Sequence, residues 1–412
     1  MKIKGVFLAV ILAAVLCISG NLLAYSGGDG TACNPYQIAN VVDFQQLTIA
    51  PNNWNMSFIL TADIDLTGLT FTQAPIAPDT DSVTSFFQGT QFTGIFDGSS
   101  HTISNLTITA STKDYIGLFG HVGSGGQIRN LGVVNVNITG RDYVGGLVGD
   151  NDGMLTACYA TGPVSGRDDV GGLVGYNSSG TITSCYATGS VSGRRYIGGL
   201  VGENHGWLTT CYATGPVSGT DLYSDYIGGL VGFNHGWLTT CYATGSVTGT
   251  NHVGGLVGEN FYGTLTACYA TGSVTGTYYV GGLVGGYDYG SITASFWDTE
   301  TSGQTISAGG TGKTIAQMKT LSTFTSAGWD FTTIWAICEG TNYPRLLWQI
   351  PDEDWVCPDG VSTEDLDYFV QQWLLTNCTA GNDYCDGADM DSSGEVNLAD
   401  LAMFAQHWLE GV

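Results

Sequence analysis

Short apolar runs alternate with glycine, asparagine and serine through the middle of the chain, and this pattern repeats. The string Gly-Gly-Leu-Val-Gly occurs six times at spacings of 26 to 30 residues, beginning at Gly145, Gly171, Gly198, Gly228, Gly254 and Gly281. Runs such as Tyr-Val-Gly-Gly-Leu-Val carry no helical periodicity, so each unit is predicted to consist of strands and turns. A β unit of this size cannot bury a face alone, and the units are therefore predicted to stack as coils of a parallel β-solenoid.

A second string, Cys-Tyr-Ala-Thr-Gly, alternates with the first and begins at Cys158, Cys185, Cys211, Cys241 and Cys268. In the sixth copy it has decayed to Ser295-Phe296-Trp297-Asp298, and a divergent first copy has Leu131 at the cysteine position. An apolar residue at that position predicts that the cysteines point into the core. In-register stacking separates equivalent Cβ atoms by nearly 5 Å, wider than a disulfide prefers. We therefore favour buried free thiols over a series of disulfides.

Other repeated positions predict ladders of identical side chains along the solenoid. Alternation along the strand places one aromatic ladder outside, formed by Tyr159, Tyr186, Tyr212, Tyr242, Tyr269 and Phe296. Such a ladder can bind sugar rings, or it can stabilise the solenoid by ring stacking, which we favour. Trp207 and Trp237 occupy duplicated Asn-His-Gly-Trp-Leu-Thr-Thr segments and are expected to lie side by side as a possible ligand platform. A structural asparagine ladder is predicted in the turns at Asn151, Asn177, Asn204, Asn234 and Asn260.

The C-terminal tail carries a pattern typical of a calcium loop. From Asp389 to Asp400 the chain has oxygen ligands at loop positions 1, 3, 5, 9 and 12, with glycine at position 6. The predicted ligands of one calcium ion are Asp389, Asp391, Ser393, the carbonyl group of Glu395, Asn397 and Asp400. Apolar residues at helical spacing follow the loop, so a helix is expected there. No other cofactor is predicted.

The tail is internally duplicated, because the segment beginning at Asp365 matches the one at Asp400, 35 residues later. This loop and helix arrangement resembles the type I dockerin family, whose two EF-hand-type calcium loops each precede a helix. The resemblance implies a cohesin-like or other protein receptor as partner. The first half departs from the pattern, since Val356 and Pro358 stand where ligands belong, and it is not expected to bind metal. Four cysteines of this region allow three pairings: Cys338, Cys357, Cys378 and Cys385.

The repeats themselves resemble the GLUG repeats of bacterial secreted and surface proteins, including adhesins and some large secreted peptidases. Segments flanking the repeats look like the end caps that a solenoid needs to cover its open edges. The predicted organisation has five parts: a signal peptide over 1–24, an N-terminal cap with the first coils over 25–112, the GLUG-repeat solenoid over 113–300, its C-terminal cap over 301–350, and a dockerin-like domain over 351–412.

Charge and the N-terminus point to a protein outside the cytoplasm. Lys2 and Lys4 precede an apolar run and small residues, which is typical of an export signal rather than a membrane span. The chain has 62 glycines and a net charge of −25, so nucleic acid and anionic membranes are poor partners. We expect a secreted or cell-surface chain without membrane insertion after cleavage of the signal.

The functional prediction is a secreted binding, adhesion or structural solenoid attached to its partner by the calcium-dependent tail, with no catalytic residues. The alternative is a carbohydrate-active enzyme, a polysaccharide lyase or glycosidase, on a parallel β-helix. Its best carboxylates are Asp150, Glu203 and Glu259, which occupy one ladder in alternate coils and so lie roughly 9 to 10 Å apart. We interpret them as solvated turn residues and expect no enzyme. His205 and His235 should also stack, but no third ligand is indicated, so no zinc site is predicted.

Overall fold

The computed structural model describes residues 25–81, 86–351, 353–357 and 360–408. The export signal predicted over residues 1–24 lies outside this part. The described chain is mainly β and forms a parallel solenoid. A complete coil of the repeat region contributes one strand to each of five parallel sheets, which we number in the order in which the chain passes through them. Sheet 5 has seven strands, so the repeat region makes about seven turns, including the divergent first copy.

The two longest sheets extend beyond the repeats into the flanking segments. Sheet 1 consists of Tyr36–Ile38, Ser57–Leu60, Ile95–Asp97, Gln127–Arg129, Met154–Thr156, Thr181–Thr183, Trp207–Thr209, Trp237–Thr239, Thr264–Thr266 and Ser291–Thr293. Sheet 2 consists of Ile64–Asp65, Thr102–Ser104, Gly132–Val134, Tyr159–Ala160, Tyr186–Ala187, Tyr212–Ala213, Tyr242–Ala243, Tyr269–Ala270, Phe296–Asp298 and Thr311–Lys313.

The other three sheets complete each coil. Sheet 3 consists of Thr70–Phe71, Thr107–Thr109, Asn137–Thr139, Val164–Ser165, Val191–Gly193, Val217–Gly219, Val247–Thr248 and Val274–Thr275. Sheet 4 consists of Asp142–Gly145, Asp168–Gly171, Arg195–Gly198, Asp225–Gly228, Asn251–Gly254 and Tyr278–Gly281. Sheet 5 consists of Phe119–Val122, Val148–Asn151, Val174–Asn177, Val201–Asn204, Val231–Asn234, Val257–Phe261 and Val284–Asp288.

The core consists of apolar ladders that follow from the repeats. Leu131 and the five repeat cysteines are fully buried, as the sequence predicts. The cysteines are free thiols, so that prediction is also confirmed. Each thiol donates to the carbonyl group two residues earlier, for example Cys185 Sγ to Thr183 O at 3.2 Å. The cysteines therefore act as small apolar residues whose only polar group is satisfied within its own coil.

The paired glycines of the repeat are required by the close approach of neighbouring coils. A Cβ atom on Gly199 would lie 2.1 Å from the carbonyl oxygen of Gly229 in the next coil. On Gly146 it would lie 2.3 Å from the carbonyl oxygen of Gly172. Backbone atoms cannot yield to such contacts without shifting a whole coil. The repeated glycines thus set how tightly the coils stack at this corner.

The predicted asparagine ladder is present, and all five of its side chains are fully buried. The side-chain amides of the first four donate to the asparagine oxygen in the next coil, for example Asn204 Nδ2 to Asn234 Oδ1 at 2.8 Å. Oxygens of the ladder also accept backbone N–H groups of their own turn, as Asn204 Oδ1 does from Gly206 N at 3.2 Å. One expectation needs correction, since these asparagines lie in sheet 5 strands and do not have left-handed backbone conformation. Their role is side-chain bonding between coils.

The segments before and after the repeat region add helices and turns to the solenoid. The helix Val41–Thr48, followed by the 3-10 turn Pro51–Asn53, begins after Asn40, whose side chain accepts the N–H groups of Val42 and Asp43. Its residues Phe44 and Leu47 are fully buried in the solenoid core. Downstream lie the helices Ile315–Met318 and Leu321–Thr325, the antiparallel pair Trp335–Ala336 and Arg345–Leu346, and the 3-10 turn Leu347–Gln349.

The C-terminal tail is a small helical unit. Its elements are the helices Thr363–Gln371 and Leu398–Phe404, the 3-10 turn Ala380–Asn382 and a turn at Asp383–Asp386 with left-handed backbone conformation. Phe369 and Phe404 stack 5.4 Å apart in its core. Of the three possible pairings, the structure has Cys338–Cys357 and Cys378–Cys385. No helix in the described ranges is long and apolar enough to cross a membrane.

Candidate functional site

The predicted calcium loop brings three carboxylates together. One carboxylate oxygen each from Asp389, Asp391 and Asp400 lie within 4.8 Å of one another. The sequence from residue 352 onward has no lysine or arginine to neutralise them. Ser393 lies beside the group, with its hydroxyl 3.4 Å from Asp389 Oδ1. Three carboxylates at this separation repel one another unless a cation lies between them. Oxygen atoms of carboxylate and other polar groups are the ligands that calcium prefers.

Two other predicted ligands have local roles in this structure. Asn397 caps the helix Leu398–Phe404, since its side-chain oxygen accepts the Ala399 N–H at 2.9 Å. The Glu395 carbonyl oxygen accepts hydrogen bonds from the Ser393 hydroxyl at 3.2 Å and from Asn397 Nδ2 at 3.1 Å. The two Asp400 oxygens accept the N–H groups of Asp391 and Asn397 at 3.1 and 2.8 Å, which ties the end of the loop to its beginning.

The first half of the tail repeats this framework without the ligands. Asp365 accepts the N–H groups of Val356 and Ser362 at 3.0 and 2.9 Å, as Asp400 does in the second half. Asp354 accepts the Gly360 N–H at 2.9 Å, which matches the bond from Gly394 N to Asp389. Val356 stands at the place of Asp391 and offers no side-chain oxygen. The two halves therefore share a loop geometry but differ in capacity for metal.

The two tryptophans of the predicted ligand platform stack on one another. Trp207 and Trp237 are paired in register in sheet 1, with ring centroids 4.9 Å apart and planes at 5°. They are 46% and 44% exposed, which is unusual for such large apolar side chains. Together they form a flat aromatic surface on the side of the solenoid.

The outer tyrosine ladder differs from its prediction over half its length. The rings stack at 4.8 to 5.0 Å, as a ladder requires. However, Tyr242, Tyr269 and Phe296 are buried under the C-terminal segment, where they pack with Trp329 and Trp335. The Tyr269 hydroxyl donates to the Pro344 carbonyl oxygen at 2.6 Å. The ladder therefore anchors the C-terminal segment, and only its earlier tyrosines stay half-buried.

The carboxylates considered for the enzyme alternative are less solvated than the sequence predicts. Asp150, Glu203 and Glu259 do lie in one ladder of sheet 5, which we call the acidic ladder. It runs through His121, Asp150, Tyr176, Glu203, Phe233, Glu259 and Gly286. Asp150 and Glu259 are only 8% and 9% exposed, so their interpretation as solvated turn residues is wrong. Neighbouring side chains cover them.

These neighbours come from a second ladder in sheet 4, the left-handed ladder. Its members all have φ between 48° and 62°: Tyr115, Tyr143, Asp169, Tyr196, Tyr226, His252 and Tyr279. Tyr143 has no paired residue in sheet 4. The residues on either side of it, Asp142 and Val144, pair with Asp168 and Val170 of the next strand. Its ring lies against Tyr176 of the acidic ladder, with centroids 5.6 Å apart. The two ladders thus pack side by side, one supplying acids and the other aromatic rings.

The first four coils form a cleft where the two ladders meet, with a volume of about 470 Å³. We call it the ladder cleft. Its walls are five aromatic and three polar side chains, namely Phe86, Phe87, Tyr115, Tyr143, Tyr176, His121, Asp150 and Glu203. Burial raises the pKa of Tyr115, Tyr143 and Tyr176 well above the usual value, and nearby carboxylates add to this effect. The phenol groups in the cleft are therefore neutral.

The acids around the cleft have strongly perturbed pKa values. Burial raises the pKa of Asp150 to about 6, although His121 partly offsets this. Asp169 replaces a tyrosine in the left-handed ladder and forms a hydrogen bond with the Glu203 carboxyl group. Burial first, and then Glu203, raises the pKa of Asp169 well above its usual range. By contrast, the hydrogen bond from His121 lowers the pKa of Asp152. Perturbed acids of this kind are concentrated at functional sites in proteins.

Sequence reasoning missed His121 and Asp169 as members of this cluster. The signal for Asp169 is visible in the repeats, since the position two residues before Gly-Gly-Leu-Val-Gly is otherwise aromatic or histidine. His205 and His235 do stack, with centroids 4.5 Å apart. His205 Nε2 lies 2.6 Å from Glu203 Oε1. Among the described residues, the only cluster of three or more side chains that could bind a metal ion is the one in the tail.

A protein family described as the GLUG motif matches residues 166–192, 223–248 and 249–275. Each matched segment spans one coil. These repeats are GLUG motifs. The resemblance stated from the sequence is thereby confirmed for the solenoid, whereas the dockerin-like character of the tail stays a prediction.

Two curated proteins share the GLUG region. Halomucin of Haloquadratum walsbyi is 37% identical over 151 residues, which are 35% of this chain and 2% of halomucin. A protein of Evansella cellulosilytica, provisionally named a Gly-rich membrane protein, is 33% identical over 134 residues, 32% of this chain and 15% of that protein. The chain therefore matches only a small part of each of these relatives.

A solved structure shares the fold. The crystal structure of a candidate immunoglobulin A1 protease from Bacteroides ovatus has a TM-score of 0.50 and 23% identity, and covers 79% of this chain and 96% of that one. A second structure, named IgA1 protease, covers 63% of this chain at a TM-score of 0.43. The prediction that this chain is not an enzyme is corrected by the Bacteroides ovatus structure, because the shared fold occurs in a chain described as a candidate protease. The solenoid gives no ground for excluding catalysis.

Proposed function

We propose that this protein is an extracellular or cell-surface binding protein, in which the GLUG solenoid presents ligand-binding surfaces and the C-terminal tail attaches it to a partner when calcium is bound. The names of the two curated relatives, halomucin and a Gly-rich membrane protein, fit a location at the cell surface. A protein receptor of the cohesin type, as the dockerin-like pattern implies, is the partner we propose for the tail.

The observation that carries this proposal is the convergence of Asp389, Asp391 and Asp400 within 4.8 Å. The ion would be held by these carboxylates together with Ser393, the Glu395 carbonyl group and Asn397. Bound calcium would supply charge neutralisation, which keeps the loop closed and the helix Leu398–Phe404 docked. Because the ligands are carboxylates, the affinity should fall as they become protonated at low pH.

Calorimetric titration of the full chain with calcium tests the tail assignment. We expect one site, and Asp391→Ala should abolish it, because Asp391 is exposed and contributes mainly its carboxylate. Asp367→Ala is the matched control, since it removes an acid from the neighbouring helix Thr363–Gln371 outside the loop. Two equal sites, or none, would contradict the assignment of one intact and one degenerate loop.

The ligand surface on the solenoid is proposed to be the Trp207 and Trp237 pair, which suits the stacking of a sugar ring or another flat ligand. A glycan array with the full chain tests this. Binding of a glycan that is lost in Trp207→Ala and kept in Met154→Ala, an exposed apolar residue two coils away in the same sheet, would support the proposal. Equal binding by the wild type and Trp207→Ala would remove the tryptophan platform.

A further inference from the structure

The ladder cleft contains acceptors that face one another without a donor between them. His121 is 5% exposed, and its Nδ1 atom has no hydrogen-bond partner among the described residues. Asp150 Oδ2 lies 3.6 Å from this atom, beyond hydrogen-bond distance. On its other side His121 Nε2 contacts Asp152 Oδ2 at 3.1 Å and the side-chain amide of Gln91 at 3.2 Å. The Asp152 carboxylate can only accept, so it takes a hydrogen bond from Nε2, and in the neutral ring Nδ1 is then the unprotonated acceptor beside Asp150.

A second buried acceptor lies behind the cleft wall. Asp169 is 7% exposed, and its Oδ1 atom also has no hydrogen-bond partner in the described part of the chain. Its other interaction is with Glu203, which lines the cleft. Burying a carboxyl group without a full set of partners costs free energy, so such a group is retained where a ligand or a role compensates it.

The basic residues of these coils do not neutralise the cleft. Arg141, Arg167 and Arg194 pair with Asp114, Asp142 and Asp168. Arg195 donates to the Tyr196 hydroxyl at 2.9 Å and lies over the rings of Tyr196 and Tyr226. None of the residues that line the cleft is a lysine or arginine. Among the described residues, no lysine or arginine forms an ion pair with Asp150, Asp169 or Glu203. The cleft is electronegative and walled by aromatic rings.

We propose that the ladder cleft binds a cationic group, the ammonium of a lysine side chain or the guanidinium of an arginine side chain, presented by a basic polypeptide. The N–H groups of the cation would bridge His121 Nδ1 and Asp150 Oδ2, which are 3.6 Å apart. The ring of Tyr176 would lie against its charge, because aromatic faces attract cations. This site is independent of the calcium loop and of the tryptophan pair.

The chemistry of the walls favours a cation over the other ligand classes. An anionic ligand would meet the same acids and be repelled. A neutral saccharide needs open aromatic faces, but Tyr115 and Tyr143 stack on one another at 4.8 Å and Phe87 packs edge-on against Tyr115. The net charge of −25 would also draw a basic partner toward the chain.

The proposal implies a dependence on pH whose sign follows from Asp150. A cation favours the ionised carboxylate, so binding must displace any proton held there. Affinity should therefore rise with pH through about 6 and weaken below it, by up to about tenfold per pH unit for one displaced proton. The groups that face or surround Asp150 are His121, Asp152, Ser178, Tyr115, Tyr143, Tyr176 and Glu203.

Calorimetry of the full chain with three blocked tripeptides tests the proposal. The probes are acetyl-Gly-Lys-Gly-amide, acetyl-Gly-Arg-Gly-amide and the neutral isostere in which norleucine replaces lysine, at physiological salt and saturating calcium. Salt screens the general attraction of the acidic chain, but a buried pair much less. We expect one site for a cationic peptide, with no binding of the neutral isostere.

Two variants separate the cleft from the overall charge. Asp150→Asn should weaken binding at least about tenfold, because it removes one partner of a buried charge pair. Glu259→Gln is the matched control, since it changes the same charge in the same ladder at similar burial but outside the cleft. It should change affinity by no more than about twofold, as expected for a distant screened charge. Glu203→Gln provides a second cleft variant, and circular dichroism establishes that each variant folds.

Each contrary outcome overturns the proposal. The first two are equal weakening by Glu259→Gln and Asp150→Asn, and binding of the norleucine peptide as tight as that of the lysine peptide. The others are no heat from either cationic peptide up to about 10 mM, and binding of cellohexaose that Asp150→Asn abolishes. Asp391→Ala should leave peptide binding unchanged. Failure of the cleft is therefore distinguishable from failure of the calcium loop.

Discussion

The solenoid and the tail are both acidic, but they hold their structure in different ways. In the solenoid each coil rests on a nearly identical coil, so core leucines, cysteines and asparagines satisfy one another along five sheets. The tail has a small core around Phe369 and depends on two disulfides and on three converging carboxylates. Repetition makes the solenoid self-sufficient, whereas the tail needs cross-links and, as we propose, an ion. Calcium should therefore leave the stability of the solenoid unchanged and increase the stability of the tail.

The largest effect should come from adding a methyl group to a glycine at a coil contact. Gly199→Ala places a Cβ atom 2.1 Å from the Gly229 carbonyl oxygen, so neighbouring coils must separate. We expect a loss of about 3 kcal/mol or more in the free energy of unfolding. Denaturant unfolding followed by circular dichroism measures it. Gly381→Ala in the tail is the control, because its nearest contact is 3.5 Å away, and an equal loss there would break the comparison.

The asparagine ladder should be nearly as sensitive. Asn204→Ala leaves the amide of Asn177, the oxygen of Asn234 and the Gly206 N–H without their buried partners. Each unsatisfied buried group costs about 1–3 kcal/mol, so we expect a total near the upper end of that range or above it. The tail control is Asn382→Ala, whose amide bonds are exposed. Thermal unfolding that shows no difference between the two variants would contradict the structural role of the ladder.

Removing calcium should destabilise the tail but not the solenoid. A ligand at about a hundred times its dissociation constant stabilises the folded form by about 2.7 kcal/mol. Hydrogen exchange with and without a chelator should therefore show faster exchange in the helix Leu398–Phe404 and unchanged exchange in sheet 5. Asp391→Ala should abolish the difference. Protection that changes in both regions would mean that the ion stabilises the whole molecule.

The smallest effect should come from the tryptophan pair. Trp207→Ala removes one half-exposed ring from a stack, and we expect a loss of about 1 kcal/mol in solenoid stability, the order of an aromatic pair. Thermal unfolding measures it, with Met154→Ala as control. A much larger loss would indicate that the pair serves the fold, and it would weaken the case for a ligand surface there.

The sequence predicts the solenoid well because each ladder position recurs in several successive repeats. Inward cysteines, the asparagine ladder and the stacked tryptophans follow from repetition alone. It could not predict that the C-terminal segment covers Tyr242 and Tyr269, since that contact joins residues about 75 to 107 positions apart, such as Tyr269 and Pro344. The burial of Asp150 was missed for a related reason. The side chains that bury it belong to the left-handed ladder, whose tyrosines have a positive φ that the repeat pattern does not reveal.

The asparagine ladder also gives the solenoid a dipole along its axis. From Asn151 to Asn234 every side-chain amide donates to the asparagine oxygen of the next coil, toward the C-terminal end. Aligned amide dipoles add and polarise one another, as peptide dipoles do in a helix. The series ends where the sixth repeat has Tyr287 in place of asparagine. The rod is thus a polar object with inequivalent ends, and its N-terminal coils, which hold the ladder cleft, lie at the oxygen-bearing, negative end.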